Sequence, residues 1–195
     1  MKTLHILLSS SLLFSSVSLY AQEKSALLCK NPGKHIVKDS TQESTYIDCK
    51  REGMTTWYTD DGHIKSKVNF KDGKENGIYT SYYDNGKKKL VVKYLNGQKD
   101  GIQKMYYDNG QLGSQVNYIN GKREGVMTDW DEDGYKSSDV YYKNNYKVGL
   151  KKYYDHSGKV VKTETYKMDR NPVIQKILKD KAKEIKVDLK KYGLE

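Results

Sequence analysis

The sequence predicts an all-β protein built as one elongated, single antiparallel meander sheet of five 24-residue hairpin repeats. The first observation is a glycine that returns every 24 positions, at Gly53, Gly77, Gly101, Gly125 and Gly149. The second is another glycine column with the same step, at the turn positions Gly62, Gly86, Gly110, Gly134 and Gly158. The third is the alternation of residue types between these glycines, which has the period of a β-strand. A fixed period of this length is the signature of a repeat architecture.

Residues 77–100 form one complete unit. Residues 78–83 alternate in the strand period, and residues 90–95 form the return strand. Between them lies Asp84-Asn85-Gly86, which predicts a tight hairpin turn because Asn and Gly both tolerate positive φ. A second short turn at residues 96–101 leads into the next copy. Turns this short make neighbouring strands antiparallel and predict a continuous meander.

Four apolar columns predict one buried, aromatic-rich face. Its members are Met54, Ile78, Ile102, Val126 and Leu150; Tyr58, Tyr82, Tyr106, Trp130 and Tyr154; Val68, Val92, Val116 and Val140; and Phe70, Tyr94, Tyr118, Tyr142 and Tyr166. The opposite, wet face is expected to carry Trp57, Ser81, Met105, Asp129 and Tyr153 beside Lys67, Val91, Gln115 and Asp139. A single copy cannot bury its apolar face alone, so stability is expected to come from stacking on neighbouring copies.

The repeated pattern resembles the MORN repeat in its bacterial variant. It consists of Gly-x4-Tyr-(Tyr)-Asp-Asn-Gly, then an apolar and an aromatic residue, then Asn-Gly-x-x-Asp/Glu-Gly. The resemblance covers residues 53–168 and recurs five times in register. Proteins of this variant family are often YwqK-like antitoxins, so the resemblance implies an antitoxin role, and its motif contains no catalytic residue. Copies four and five depart from the pattern. A third glycine column holds for three copies, at Gly73, Gly97 and Gly121, and is then replaced by Asn145 and Asp169. Asp131 and Asp155 replace the second aromatic residue.

Residues 1–21 have the basic start and apolar middle of a secretory signal peptide, with cleavage expected after Ala21. The apolar run is too short and too rich in serine for a membrane span. The protein is therefore expected to be exported, to the periplasm or to the outside of the cell. A buried N-terminal helix is the alternative.

Cys29 and Cys49 are the two cysteines of the chain, and both remain after cleavage. An oxidising compartment favours a disulfide between them, which would stabilise the fold by roughly 3 kcal/mol; two free thiols are the alternative. Cys49 also lies in the repeat frame, because residues 48–53 copy residues 120–125. This predicts a half-repeat with a strand near residues 43–48. Residues 22–52 are therefore interpreted as an N-terminal cap pinned by the disulfide.

The repeats span residues 53–169, and residues 170–195 form a different, basic amphipathic segment. Ile174, Ile177, Leu178, Ala182, Ile185 and Leu189 are spaced as on one face of a helix. Asn171 and Pro172 have the residue types of a helix start. We expect a capping α-helix that packs on the last hairpin; the alternative is a helix that lies on a membrane surface.

The mature chain is basic. Loss of Lys2 with the signal lowers the 35 basic side chains to 34, against 25 acidic ones, for a net charge of +9. Such a surface favours acidic partners, namely an acidic protein, an anionic membrane or an anionic glycan. Nucleic acid fits poorly with export, and the tyrosine columns are interpreted as packing rather than as a platform for bases.

The sequence predicts no enzymatic activity, no metal site and no cofactor. Asp60, Asp84, Asp108 and Glu132 recur at one turn position, but a carboxylate there is typical of a tight turn. Neighbouring copies would hold these groups about 10 Å apart, too far to share one ion. His35, His63 and His156 share no frame, and the glycines belong to turns rather than to a phosphate-binding loop.

The remaining candidate is a binding surface, because repeat sheets commonly bind through an extended face. Tyr, Trp, Met and basic side chains are the types that anchor interfaces. Cross-strand pairing of aromatic residues is the alternative explanation for them. The candidate residues are Trp57, Tyr79, Tyr83, Met105, Tyr107 and Tyr153, with Lys65, Lys89 and Lys93. The sequence thus predicts an exported, non-enzymatic scaffold for protein–protein interaction, with an antitoxin or immunity role as one form, and envelope docking on anionic lipid or glycan as the alternative.

Overall fold

Residues 33–166 are described by the computed structural model, and they form one antiparallel sheet of fifteen strands. The strands are β1 (Lys34–Lys38), β2 (Gln42–Ile47), β3 (Lys50–Arg51), β4 (Gly53–Tyr58), β5 (Ile64–Lys71), β6 (Lys74–Glu75), β7 (Gly77–Tyr82), β8 (Lys88–Leu95), β9 (Gln98–Tyr106), β10 (Leu112–Ile119), β11 (Lys122–Arg123), β12 (Gly125–Trp130), β13 (Lys136–Lys143), β14 (Tyr146–Tyr154) and β15 (Val160–Tyr166). The two-residue strands β3, β6 and β11 pair beside β2, β5 and β10, and the other twelve follow one another in chain order. The predicted all-β meander of repeated hairpins is confirmed.

The five hairpins are β4–β5, β7–β8, β9–β10, β12–β13 and β14–β15. β2 corresponds to the strand predicted near residues 43–48, while β1 was not predicted. Within residues 33–166 the chain forms no helix, and hence none that could span a membrane. The signal peptide (residues 1–21), Cys29 with its proposed disulfide to Cys49, and the C-terminal helix (residues 170–195) depend on residues outside the described range. These three features stay predictions.

The hairpin loops lie where predicted, at Asp84-Asn85-Gly86 and its equivalents, but only the glycine adopts positive φ. In the β7–β8 hairpin the amide of Gly86 donates to the carbonyl of Tyr83, and the amide of Tyr83 donates to the carbonyl of Lys87, both at 2.9 Å. Gly86 has a φ of 77°, but Asn85 is not among the residues with positive φ. The loop therefore has three residues and ends in a left-handed glycine, a common alternative to the two-residue turn.

The return turns between copies are tight two-residue turns with positive φ at both positions. Asn96 and Gly97 have φ values of 50° and 80°, and Asn144 and Asn145 have 48° and 73°. The turn is thus kept where asparagine replaces glycine. Each return turn also bonds to the preceding copy. The amide of Gly97, for example, donates to the carbonyl of Glu75 at 2.8 Å.

The register places two of the predicted apolar columns, the valine column that contains Val92 and the column that contains Ile78, on opposite faces of the sheet. Tyr79 lies opposite Val92, and Ile78 lies opposite Lys93. Residues directly opposite each other in an antiparallel pair share a face, so Val92 and Ile78 point to opposite sides. The prediction that these columns form one buried face is therefore wrong. Hydrophobicity alone does not fix which residues of two strands pair, and a shift of one residue exchanges the two faces.

Two irregularities in each hairpin set this register. The three-residue loop pairs Tyr82 with Lys88, and a bulge at Lys89 then restores the pairing of Ser81 with Leu90. The same register shift occurs in all five hairpins. The predicted wet face is also wrong as a set, because Trp57 and Lys67 lie on opposite sides of the β4–β5 hairpin.

The face that carries Val68, Val92, Val116 and Val140 holds the core, and we call it the valine face. These four valines are 0–3% exposed. Beside them, the aromatic residue two positions later lies opposite a glycine of the first column, as Tyr94 lies opposite Gly77. The glycine has no side chain of its own at this point, so the aromatic ring can cover its backbone. The periodic glycine thus has a packing role within the sheet.

The other face carries Met54, Ile78, Ile102, Val126 and Leu150, which we call the apolar stripe, and the face is named the stripe face. These side chains are 50–55% exposed. No second layer of the described structure covers them, since every strand belongs to the one sheet.

Candidate binding surfaces

A row of alternating cations and aromatic rings crosses the valine face near the return turns. Its cations are Arg51, Lys99, Arg123 and Lys147, which recur in the 24-residue frame, with Glu75 in the remaining place. Each cation is the cross-strand partner of one aromatic residue, as Lys99 is of Tyr94. It also lies over the aromatic ring of the next copy. We call this set the cation–aromatic row.

The contacts within the row are close enough for cation–π attraction. Lys99 Nζ lies 4.9 Å from the ring centroid of Tyr118, and the guanidinium carbon of Arg123 lies 4.2 Å from that of Tyr142. At the N-terminal end, Arg51 lies within 5.2–5.7 Å of three ring centroids, those of Tyr46, Trp57 and Phe70. Because the described strands form no second layer over these rings, such long side chains shield the rings from water.

The cations of the row have no carboxylate partner in the described part of the chain. None of the four forms an ion pair within residues 33–166. Lys99 Nζ donates to Gln103 Oε1 at 2.7 Å, which is a neutral acceptor. Burial lowers the pKa of the Lys99 ammonium from its ordinary value, and the nearby positive charge of Arg123 lowers it further. The centre of the row is therefore an electropositive strip that favours an anion.

The loop edge of the sheet is tied together by the second tyrosine of the repeat. The hydroxyl of Tyr83 donates to the carbonyl of Tyr106, and the hydroxyl of Tyr107 donates to the carbonyl of Trp130. The Nδ2 amide of Asn85 donates to the carbonyl of Asp108 in the same way, at 2.8 Å. Each of these bonds joins one hairpin to the next. Tyr83 and Tyr107 are thus half-buried structural ties.

Copies four and five keep the backbone of this loop but have a carboxylate in place of the second tyrosine. Asp131 accepts hydrogen bonds from the amides of Asp133 and Tyr135 in its own loop. Asp155 accepts from the amides of Ser157 and Lys159 in the same arrangement. The carboxylate therefore stabilises its own turn instead of reaching the next hairpin. His156 supplies a link between these two copies, since its Nε2 lies 3.1 Å from Asp131 Oδ2 and its ring stacks on Tyr135.

In the first copy Thr59 occupies the column position of Tyr83 and Tyr107. Its short side chain cannot bridge to the next hairpin, and a shallow depression of about 490 Å³ lies beside it. The depression is lined by Thr41, Trp57, Tyr58, Asp60, Lys65, Ser66 and Tyr79. It therefore brings together three of the predicted surface residues, Trp57, Lys65 and Tyr79.

Only some of the other predicted surface residues share the valine face with Trp57 and Tyr79. Met105 and Tyr153 lie on the valine face, as their pairing with Ser114 and Lys162 shows. Lys93 lies on the stripe face. Lys89 is the bulge residue, and its Nζ sits 5.2 Å from the ring of Tyr83. The nine residues are thus divided between two faces and one edge.

The turn glycines Gly62, Gly86, Gly110, Gly134 and Gly158 all have positive φ, from 77° to 94°. The turn carboxylates Asp60, Asp84, Asp108 and Glu132 lie in successive loops, and residues 33–166 contain no group of three potential metal ligands.

The cation–aromatic row was missed in the sequence analysis. Its 24-residue spacing was visible, but the contact of each cation with the ring of the following copy depends on the register.

The repeat frame matches that of a known family. The MORN repeat variant matches residues 51–72, 75–96, 99–120 and 147–168. The chain carries MORN repeats. These repeats are in general protein- or lipid-binding motifs. The hairpin β12–β13 lies between matched segments and has the same fold as the matched MORN hairpins, although its loop has the self-stabilising Asp131 form.

Comparison with other proteins adds no second relationship. No curated protein matches the chain. Among solved structures, accessory secretory protein 1, 2 and 3 of Streptococcus pneumoniae gives a TM-score of 0.34 at 11% identity, over 51% of this chain and 19% of that chain. A mutant of S. aureus TarM in complex with Fondaparinux, alpha-GlcNAc-glycerol and UDP gives 0.35 at 12% identity, over 73% and 24%. The GtfA/B complex bound to UDP and GlcNAc gives 0.25 at 9% identity, over 82% and 28%.

The MORN-repeat chain thus spans between about a fifth and just over a quarter of these longer chains. TM-scores this low carry no argument about what the chain binds. The surfaces of its own sheet are the basis for a functional proposal.

Proposed function

We propose that the protein is an exported, non-enzymatic scaffold that binds another protein through its stripe face. The observation that carries this proposal is the apolar stripe, in which five large side chains remain about half exposed at the same position of five successive copies. Leu95, Ile119 and Tyr141 on the same face are also exposed. Monomeric soluble proteins rarely expose apolar surface on this scale unless another molecule covers it.

The charges beside the stripe define the chemistry of the partner. Lys67, Lys93, Lys104 and Lys152 lie on the stripe face, and none of them forms an ion pair within the described range. A partner that fits this face presents apolar side chains flanked by carboxylates. Apolar anchors would supply most of the binding energy, and the lysines would steer the encounter.

An immunity or antitoxin role is the most specific form of this proposal. It rests on the resemblance of the repeats to YwqK-like proteins, and on a mode of action in which the sheet covers the active surface of a toxin. The predicted signal peptide would carry the chain out of the cytoplasm, so such a toxin would act in the periplasm or envelope. No chemical step by this chain is part of the role.

Envelope docking is the second candidate. The basic C-terminal segment and the unpaired cations of the sheet favour it, because both are suited to an anionic lipid or glycan surface. The two candidates differ in salt response. Docking through charges weakens steeply as ionic strength rises, whereas an apolar protein interface largely survives.

Site-specific photo-crosslinking tests which surface is covered in the cell. A photoreactive residue placed at Ile102 lies on the apolar stripe, and one placed at Met105 lies on the valine face as a matched, equally exposed control. The proposal predicts a discrete crosslinked protein from position 102 and none from position 105. Crosslinking to the same protein from position 105 alone would reject the stripe face as the interface.

A further inference from the structure

The cation–aromatic row differs from the stripe in kind, because it presents charge at regular intervals along the opposite face. Lys99, Arg123 and Lys147 occur in three consecutive copies. Equivalent residues of consecutive copies are two strands apart, or about 10 Å along the sheet. Between these cations lie Tyr118, the cross-strand partner of Arg123, and Tyr142, the cross-strand partner of Lys147.

The three cations retain capacity to bind an anion. Within the described residues the guanidinium group of Arg123 has no hydrogen-bond acceptor, although it carries five N–H donors. The rings beneath the cations exclude water on one side, which strengthens any charge interaction made on the other side. The lowered pKa of Lys99 is consistent with this, because a bound anion would relieve both its desolvation and the repulsion from Arg123.

The spacing selects a linear ligand with separated charges. A single small anion could engage one cation, but it could not span three positions about 10 Å apart. An acidic polysaccharide with one acid group per disaccharide spaces its charges over a similar distance. The sugar ring between Lys99 and Arg123 would lie beside Tyr118, which remains partly exposed, whereas Tyr142 is only 4% exposed and supports the row from below.

We propose that Lys99, Arg123 and Lys147 form a binding site for a linear acidic polysaccharide that carries about one acid group per disaccharide. Each cation pairs with one acid group, and the intervening sugars span the distance between neighbouring cations, the first of them beside the partly exposed Tyr118. Glu75 replaces the cation in the preceding copy, so the site ends at Lys99 on that side. This site goes beyond the protein-binding proposal and gives the envelope-docking candidate a defined surface and ligand class.

The test uses the full mature chain and size-defined hyaluronan oligosaccharides, which carry one carboxylate per disaccharide. The variant K99Q/R123Q/K147Q removes three charges from the row. The matched control, K93Q/K104Q/K152Q, removes three charges from the stripe face. The row variant should lose affinity roughly 100-fold, about fivefold for each charge near an anionic ligand, while the control changes severalfold at most.

Stability and ligand class are checked in the same experiment. K99R/K147R keeps charge and ring contact and should retain binding, and thermal melts of each variant show whether the sheet remains folded. Equal loss in the row variant and the stripe-face control would overturn the proposal, as would the absence of oligosaccharide binding by the wild type. Preference for anionic vesicles or for single-stranded DNA of equal charge would also overturn it. Crosslinking from position 102 is independent of these results, so the protein-binding proposal and the polysaccharide site can fail separately.

Discussion

The hydroxyl of Tyr83 donates a hydrogen bond of 2.7 Å to the backbone carbonyl of Tyr106 in the next hairpin. Tyr107 repeats the bond to Trp130 one copy later, at 2.9 Å. These bonds cross between copies near the hairpin loops, while backbone bonds from the return turns cross at the opposite edge. A stack of repeats depends on its nearest-neighbour interfaces, so the second tyrosine of the motif is a residue of that interface.

Removal of this hydroxyl should weaken the stack. Tyr83→Phe keeps the ring and leaves the carbonyl of Tyr106 without its donor, and we expect a loss of about 1 kcal/mol in the free energy of unfolding. Urea denaturation of the wild type and the variant measures this loss in the free energy of unfolding. Tyr141→Phe is the control, because that tyrosine is exposed and its hydroxyl has no hydrogen bond within the described residues. An equal effect in the two variants would show that the bond contributes nothing specific.

A close contact lies beneath the second of these tyrosines. A Cβ atom built on Gly113 would lie 2.9 Å from Cε2 of Tyr107. Gly113→Ala should therefore displace the ring, break the bond to Trp130 and destabilise the fold by about 1–3 kcal/mol. A double-mutant cycle with Tyr107→Ser tests the cause, because the alanine should cost much less once the ring is absent. If the effects of the two substitutions on the free energy of unfolding were additive, the alanine would not act through the ring of Tyr107.

Two buried hydroxyl groups near the N-terminal end of the sheet lack partners. Ser44 and Thr55 are 1% and 0% exposed, and neither hydroxyl has a hydrogen-bond partner within the described residues. Thr55→Val replaces an unsatisfied polar group with an isosteric apolar one, on the face that carries the valine column. We expect the free energy of unfolding to rise by about 1 kcal/mol. A lower melting temperature for this variant would indicate that the hydroxyl is bonded in solution.

The last strand should be sensitive to acid. Donation from Lys162, and then from the hydroxyls of Tyr166 and Tyr153, lowers the pKa of the Glu164 carboxyl to about 2. A carboxyl whose pKa is lower in the folded state stabilises the fold above its ordinary value of 4.5, and this contribution is lost as the pH falls toward 2. Melting temperatures measured across this range should therefore differ between the wild type and Glu164→Gln at neutral pH and converge in acid.

Glu132→Gln is the control for the acid experiment, because its carboxylate forms no ion pair or hydrogen bond within residues 33–166. It should leave the pH dependence of stability unchanged. A difference between the wild type and Glu164→Gln that persists unchanged at pH 2 would contradict the assignment.

The sequence predicted the architecture because the repeat period and the turn residues are local signals. Asn96-Gly97 adopts the predicted turn, and the five hairpins fall in the predicted frame. The faces were mispredicted because the pairing of Tyr79 with Val92 depends on a loop length and a bulge that hydrophobicity does not report. The assumption of one fully buried face also failed, since residues 33–166 form no second layer and leave the Ile78 column exposed.

The candidate surface was predicted by residue type and therefore only in part. Trp57, Lys65 and Tyr79 do meet at one depression. Tyr83 and Tyr107 were selected as exposed aromatic residues, but they tie hairpins together. Lys99 and Arg123 were not selected, because their relation to the rings of the following copies exists only once the strands are paired.

Capture of the tagged mature protein from its own cell envelope tests the central claim most directly. The wild type is compared with Ile78→Ser/Ile102→Ser/Val126→Ser at low and at high salt, and recovered proteins are identified by mass spectrometry. We expect one protein to be recovered with the wild type in near-equal amount at both salt concentrations and to be lost with the stripe variant. Recovery of no protein at either salt, or equal recovery with both forms of the chain, would contradict it.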